Sequence, residues 1–377
     1  MTKHLNDRLR EDDPELIRLD ISPKYLHGYD EWRKSDFLHA LGHNMTVETV
    51  HLSCADLEDC FTHEQIEQLF EAVGKLQNMT ELFIFRGDCP AATEALVAKC
   101  LAAAIKVTVL MLWDFGTMGD NPILAGAIRS HPALERLTLT LPAHLPYAYL
   151  DVYIMGFAVM KTLKCLSIRC SRPQPEAAIS PEAMGILLSS AAIKNLYLTN
   201  LGLTDDHTDA ITAELPSNDT LELLDLKDNF FTDDALYSFA AALKKNNTLS
   251  SLDLTGVQIT AGGGQALADA MPFNTVITNL ELEGGAERYA DEFDIPASGH
   301  AEQPWMKALY FQIRLNRAHT GSLKNRKLFV EAVNSVSDHL GCLYYFIRGH
   351  PAHCEKMKHN LPYYPTESAK FHNALLN

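Results

Sequence analysis

No stretch of the 377 residues approaches the roughly 18 consecutive apolar residues of a membrane span, so none is expected. The N-terminal residues 1–16 have no apolar segment of the kind a secretory signal requires. Positive charge is short, with 32 Lys and Arg against 48 Asp and Glu and a formal charge of −16. Such a balance opposes general affinity for nucleic acid or anionic lipid and favours basic or neutral partners. Cysteine is sparse and scattered: eight residues, at 54, 60, 90, 100, 165, 170, 342 and 354, without a disulfide framework. Reduced thiols follow, and with them a cytoplasmic location, with a nuclear one as the alternative. The sequons at Asn44, Asn78, Asn218 and Asn246 are then incidental.

Catalytic pattern is also scarce. Carboxylates are plentiful, yet nothing pairs an acid with a poised base at a recognisable spacing. Gly262-Gly263-Gly264 lacks the Lys-Ser/Thr that completes a phosphate loop, and small residues at a helix start account for it more simply. His350, His353 and Cys354 form one short run with no second cluster at zinc-site spacing. No enzymatic activity and no cofactor are expected.

What is present is periodicity. A Leu-x-x-Leu-x-Leu step recurs at Leu221/Leu224/Leu226, Leu249/Leu252/Leu254 and Ile277/Leu280/Leu282. Its middle position extends upstream to Leu19, Val50, Leu82, Leu110, Leu137, Leu166 and Leu196, which with Leu224, Leu252 and Leu280 makes about ten repeats of about 28 residues. Each repeat has two halves. The first alternates apolar and polar residues, as in Thr248–Leu254, and predicts a short strand. The second has helical spacing, with Ile211/Leu215, Phe239/Leu243 and Leu267/Met271 four residues apart. Thr204, Thr232 and Thr260 stand where an N-cap belongs, Asp205, Asp206, Asp233 and Asp234 follow in the first turn, and Asn218, Asn246 and Asn274 close the helices.

Strand then helix, always in one direction, makes neighbouring strands parallel. Because helices are bulkier than strands, the array should curve, with strands on the concave face and helices on the convex one. The expected fold is an α/β solenoid, a right-handed β-α horseshoe. Residues 1–15 are expected to form an N-terminal cap and 16–285 the repeats. Residues 286–377 read as a loop and a basic, helical C-terminal cap, with helices near 304–316 and 324–348. From 303 onward ten Lys/Arg face four Asp/Glu, leaving 22 against 44 in the remainder. Pairing of that basic tail with the acidic body is the simplest account.

Residues 220–236, Thr-Leu-Glu-Leu-Leu-Asp-Leu-Lys-Asp-Asn-Phe-Phe-Thr-Asp-Asp-Ala-Leu, resemble a leucine-rich repeat of the ribonuclease-inhibitor-like class. Asn229 matches the Asn that pairs with backbone in that motif's turn. Leu201, Val257 and Gly285 stand at the equivalent positions elsewhere, so no continuous Asn series is expected there. Residues 310–318 and 342–348 resemble C-terminal segments of leucine-rich-repeat proteins from microalgae such as diatoms. The resemblance implies a horseshoe that binds protein on its concave face.

On that face the position between the last two apolar residues runs Asp20, His51, Phe83, Met111, Thr138, Ser167, Tyr197, Asp225, Asp253, Glu281. Adjacent strands lie about 4.8 Å apart, so these side chains form a row. Phe83, Phe85, Met111 and Trp113, flanked by Arg86 and Asp114, have the composition of an apolar anchor for a protein partner. A register slip of one residue would instead bury all four aromatic and Met side chains. Asp225, Asp253 and Glu281 form a carboxylate stack suited to a basic segment of the partner, or to an ordinary solvated face. Two functions remain open: a non-catalytic protein-binding scaffold, or a regulator of an enzyme, either a ribonuclease inhibitor or a GTPase-activating protein. The vertebrate ribonuclease inhibitors are far richer in cysteine, and the Ran-type activators carry an acidic tail where this chain is basic. Oligomeric state is left open.

Overall fold

A computed structural model describes residues 4–282, apart from 27, 56, 86–92, 115–121, 143–148, 172–176 and 258, together with 304–320. The chain forms two compact units, Met1–Leu203 and Thr204–Asn377. The predicted loop over 283–299, the predicted helix over 324–348, and His350, His353 and Cys354 lie outside the described residues.

The first unit contains seven parallel strands: β1 (Arg18–Ile21), β2 (Thr49–Ser53), β3 (Glu81–Phe85), β4 (Val109–Trp113), β5 (Arg136–Leu141), β6 (Cys165–Cys170) and β7 (Asn195–Thr199). Its helices are α1 (Leu5–Arg10), α2 (Pro23–Leu26), α3 (Glu31–His43), α4 (Leu57–Cys60), α5 (His63–Gly74), α6 (Thr93–Ala103), α7 (Pro122–Arg129), α8 (Tyr149–Ala158) and α9 (Pro181–Leu188). The second unit contains β8 (Leu223–Asp225), β9 (Ser251–Asp253) and β10 (Asn279–Glu281), with α10 (Asp205–Glu214), α11 (Asp233–Leu243), α12 (Ala261–Ala270) and α13 (Pro304–Thr320). In each unit strand order follows chain order, and a helix separates successive strands. This is a β-α solenoid.

The repeat frame holds at every strand. Leu19, Val50, Leu82, Leu110, Leu137, Leu166 and Leu196 are consecutive register partners in the first unit. Leu224, Leu252 and Leu280 are partners in the second. All ten are buried. Alternation sends the intervening residues to the other face, and the strand pattern of β2 and β3 is half-buried, buried, half-buried, buried, half-buried. Helices supply the rest of the core, with Leu69 and Phe70 from α5 and Phe239 and Leu243 from α11 almost wholly enclosed.

The chain turns out of a strand by one device. Four residues beyond the central apolar position, Asp114, Asn200, Asp228 and Gly256 have φ of 60°, 59°, 56° and 87°. Asp and Asn are among the few side chains that enter this left-handed region readily. There the Asp114 N–H donates to Thr140 O at 2.8 Å and the Asp228 N–H to Thr255 O at 2.7 Å. Asn229 is buried and its Nδ2 donates to Leu226 O at 2.8 Å, the turn contact the resemblance implied. Leu201 and Val257, also buried, fill the same place with apolar bulk.

The chain enters a strand by a second device. Asn246 donates from Nδ2 to Leu215 O at 2.6 Å and Asn218 O at 3.1 Å, while its Oδ1 accepts the N–H of Thr248 and of Leu249. Asn274 does the same one repeat on, to Leu243 O at 2.7 Å and Asn246 O at 3.2 Å. In the first unit Asn44 donates to Leu9 O at 2.8 Å, and His131 bonds Ala104 O at 3.1 Å from the corresponding position. These residues therefore do more than close helices, which is all the sequence suggested. They stitch the end of one helix to the backbone of the repeat before it.

The helix starts follow expectation. Thr204, Thr232 and Thr260 are the N-caps of α10, α11 and α12. Asp205 also accepts the Thr232 N–H at 2.9 Å, and Asp233 the Thr260 N–H at 3.0 Å, so each first-turn carboxylate caps its neighbour as well. Pro304–Thr320 is helical, and Asn316 of this helix donates to Asn274 O and Ile277 O at 2.9 and 2.8 Å. Gly262-Gly263-Gly264 begins α12. A Cβ on Gly264 would stand 2.5 Å from the ring of Trp305, so the glycine is there to let α13 approach. Cys54, Cys60, Cys100, Cys165 and Cys170 are not in disulfides.

Candidate functional site

The strand-lined face of the first unit carries the aromatic group. Phe83 pairs in register with Met111, and Phe85 with Trp113, all on the side opposite Leu82, Ile84, Leu110 and Leu112. Those four are fully buried, so the sequence frame is in register here. Phe83, Phe85 and Met111 are half-buried by one another, and Trp113 is 39% exposed. The Phe85 and Trp113 rings lie 6.0 Å apart.

The patch is wider than the sequence indicated. His51, next to Phe83 on β2, has its ring 4.4 Å from the Phe83 ring and 6.2 Å from that of Phe85. Burial, then the Arg18 guanidinium, holds its imidazole below the usual range, against the pull of Asp20 and Glu81. It presents a neutral ring at pH 7. On the other side the Arg169 guanidinium lies 4.6 Å from the Trp113 ring centre, a cation over an aromatic face. Sequence reasoning did not find Arg169 because it is two strands removed from Trp113. The available signal was the short Thr140 between them, which leaves room for a long side chain to cross.

The other named residues separate. Asp114 occupies the left-handed turn after β4, where its backbone is engaged. Tyr197 lies on β7, opposite Ser167 and three strands from β4. Arg86 is outside the described residues. Asp225, Asp253 and Glu281 belong to the second unit, where Asp225 pairs with Asp253 and Asp253 with Glu281.

Asp225 is the electrostatically distinctive member of that stack. Burial is the main reason its carboxyl is pushed from 3.8 up to about 6. The Lys227 backbone N–H opposes the rise, Asp253 adds to it, the Lys227 ammonium opposes it, and Glu281 adds to it again. Between those two pH values the folded protein keeps a proton that the unfolded chain has lost. Stability therefore falls as pH rises through this window, by about 1–2 kcal/mol once partial exposure is allowed for. Asp225→Asn should flatten that slope. It should leave urea stability unchanged near pH 4 and raise it by about 1 kcal/mol at pH 7.5, because an amide Oδ1 still accepts the Lys227 N–H. Equal effects at both pH values would contradict the assignment.

Among the described residues, no group of three His, Cys, Asp or Glu could hold a metal ion, and no helix is long and apolar enough to cross a membrane.

Residues 245–268 match the family model described as Leucine Rich repeat. No curated protein matches the chain. Among solved structures it is similar to the leucine-rich repeat-containing protein LegL7 from Legionella pneumophila, at 12% identity over 78% of this chain and 97% of that one, with a TM-score of 0.41. A protein from Bacteroides fragilis gives 12% identity over 73% and 75%, with a TM-score of 0.41. TLR13, solved as a complex with ssRNA13, gives 19% identity over 74% of this chain and 37% of that one, with a TM-score of 0.42.

Proposed function

We propose that the protein is a non-catalytic scaffold that binds a protein partner on the strand-lined face of its first unit. The observation that carries this is the continuous ring surface of His51, Phe83, Phe85 and Trp113, left on the solvent side of a sheet whose other side is the core. Aromatic side chains beside an Arg are the composition in which binding energy concentrates. The −16 charge of the chain favours a protein over nucleic acid or an anionic membrane as the ligand. Residues 1–15 and the basic C-terminal region serve as caps, and a cytoplasmic or nuclear site of action fits the reduced thiols.

Affinity capture from native lysate with wild type and with a Phe83→Ala/Trp113→Ala variant tests the reading. Proteins held by the face should drop out of the variant's set, and a single partner's affinity should fall by about 30-fold or more. Identical captured sets would sink the idea. The ribonuclease-inhibitor-like or GTPase-activating alternative has its own assay: inhibition of a basic ribonuclease, or faster GTP hydrolysis by small GTPases, in the presence of the full chain.

The carboxylates of the second unit support a subsidiary contact with a basic segment. A cation placed there would draw the Asp225 proton off. If Asp225→Ala with Asp253→Ala left partner affinity and its salt dependence unchanged, that contact does not exist.

A further inference from the structure

Arg169 is held at two points on the strand-lined face of the first unit. It sits on β6 opposite Thr140 of β5, and Thr140 is in turn opposite Trp113 of β4. The threonine is short, so the arginine lies across it. Arg169 Nε donates to Thr140 Oγ1 at 3.0 Å, and the guanidinium carbon comes to rest 4.6 Å from the Trp113 ring centre. Thr140 is only 2% exposed although it points to the solvent side, as a residue roofed by the arginine should be. One end of the guanidinium is thus tied down and one face is stacked.

The terminal nitrogens are left over. Among the described residues they meet no carboxylate and no carbonyl. Two other strand-end basic groups of this unit are neutralised at home: Arg18 on Asp20, and Lys164 on Glu135 at 2.6 Å. Among the described residues Arg169 has no such partner, and Asp114, the acidic residue next to Trp113, does not pair with it. A planar fork of donors, held rigid against an aromatic surface, matches a carboxylate in two-point contact. Rigidity removes much of the ordering cost that a free surface arginine would bear.

We propose that the partner segment gripped here carries an Asp or Glu next to an apolar side chain. The carboxylate sits on the Arg169 fork, and the apolar side chain lies against Phe83, Phe85 and Met111. This rests on the reading of the face as a protein-binding surface and adds the chemistry of what it reads. A single carboxylate is favoured over a phosphate-rich polyanion because the chain as a whole carries −16, and repulsion grows with every added negative charge. A basic segment is disfavoured at this place by Arg169 itself.

The test uses the immobilised full chain and a random 12-residue displayed peptide pool. Enriched sequences are then synthesised with a fluorophore, each beside a copy in which Asp or Glu is replaced by Asn or Gln, and titrated by anisotropy. Enriched peptides should carry an acidic residue within about three positions of an apolar one. The amide copy should bind wild type about tenfold more weakly, and Arg169→Gln should weaken the acidic peptide by a similar factor while no longer distinguishing it from its amide copy. Arg169→Lys keeps the charge without the fork and should fall between. Unchanged circular dichroism and thermal midpoint would show that Arg169→Gln is folded. Peptides that need Trp113 but tolerate the amide swap, or bind Arg169→Gln as well as wild type, overturn the proposal and leave the face reading intact. Enrichment that is indifferent to both Phe83→Ala and Trp113→Ala, or no enrichment at all, overturns both.

Discussion

Replacing Asn246 by Ala is expected to destabilise the second unit by about 3–4 kcal/mol. The side chain is 1% exposed and makes four hydrogen bonds, all to backbone. Truncation strands the Leu215 carbonyl and two N–H groups where water has poor access and leaves Asn218 O with the Thr248 hydroxyl alone, and each buried orphan costs about 1 kcal/mol or more. Asn246→Asp should be nearly as damaging, because a second acceptor would then face the carbonyls of Leu215 and Asn218. Asn247→Ala, at the exposed neighbour, should change stability by less than about 0.5 kcal/mol. Urea unfolding of the three variants checks the ranking. Amide exchange at Thr248 and Leu249 checks the cause, since these two N–H groups should lose protection first. Similar losses at 246 and 247 would mean that the side chain only fills space.

Gly264→Ala is expected to loosen the junction between α12 and α13 at a loss of about 2–3 kcal/mol. The added methyl would meet the Trp305 ring at 2.5 Å, a distance no relaxed contact shows. Trp305 is itself buried, and Met306 and Leu309 beside it are almost fully enclosed, so the ring has nowhere to slide. Overpacking of this kind forces backbone shifts rather than a change of rotamer. The tryptophan should report the change directly, with emission moving to longer wavelength as α13 lifts and water reaches the indole. A smaller side chain at the other partner gives the complementary result. Trp305→Ala in the Gly264→Ala background should cost less than the sum of the two single changes, because the clash is already gone. Strict additivity would show that Gly264 and Trp305 do not meet.

The sequence carried the repeat frame in full because a strand's alternation and a helix's spacing are local properties, and the central apolar residue recurs ten times. Register then sorted Phe83, Phe85, Met111 and Trp113 from the core residues between them without any structure. Three things were out of reach for a common reason. The Arg169 contact crosses Thr140 to a strand two removed, the Gly264 notch is shaped by Trp305 more than forty positions on, and Asn246 bonds backbone in the preceding repeat. Each depends on what a side chain meets beyond its own repeat, and periodicity describes only where it starts. The Asn positions did leave a trace, since Asn44, His131, Asn218, Asn246 and Asn274 all fall six residues before a central strand residue. A constant offset of polar residues ahead of an apolar step is a readable sign that backbone needs partners there.

The asparagine stitches also bear on how such a chain can change length. Asn246 and Asn274 reach back by the same offsets, 31 and 28 residues, and touch only main-chain oxygens. A main-chain oxygen is the same in every repeat, so the contact does not ask which repeat stands before it. Removing or copying one 28-residue block in frame would hand each Asn an equivalent neighbour. The lineage of this protein could therefore gain or lose whole cassettes, moving the aromatic face and the carboxylate stack closer together or farther apart in sequence, without inventing a new join.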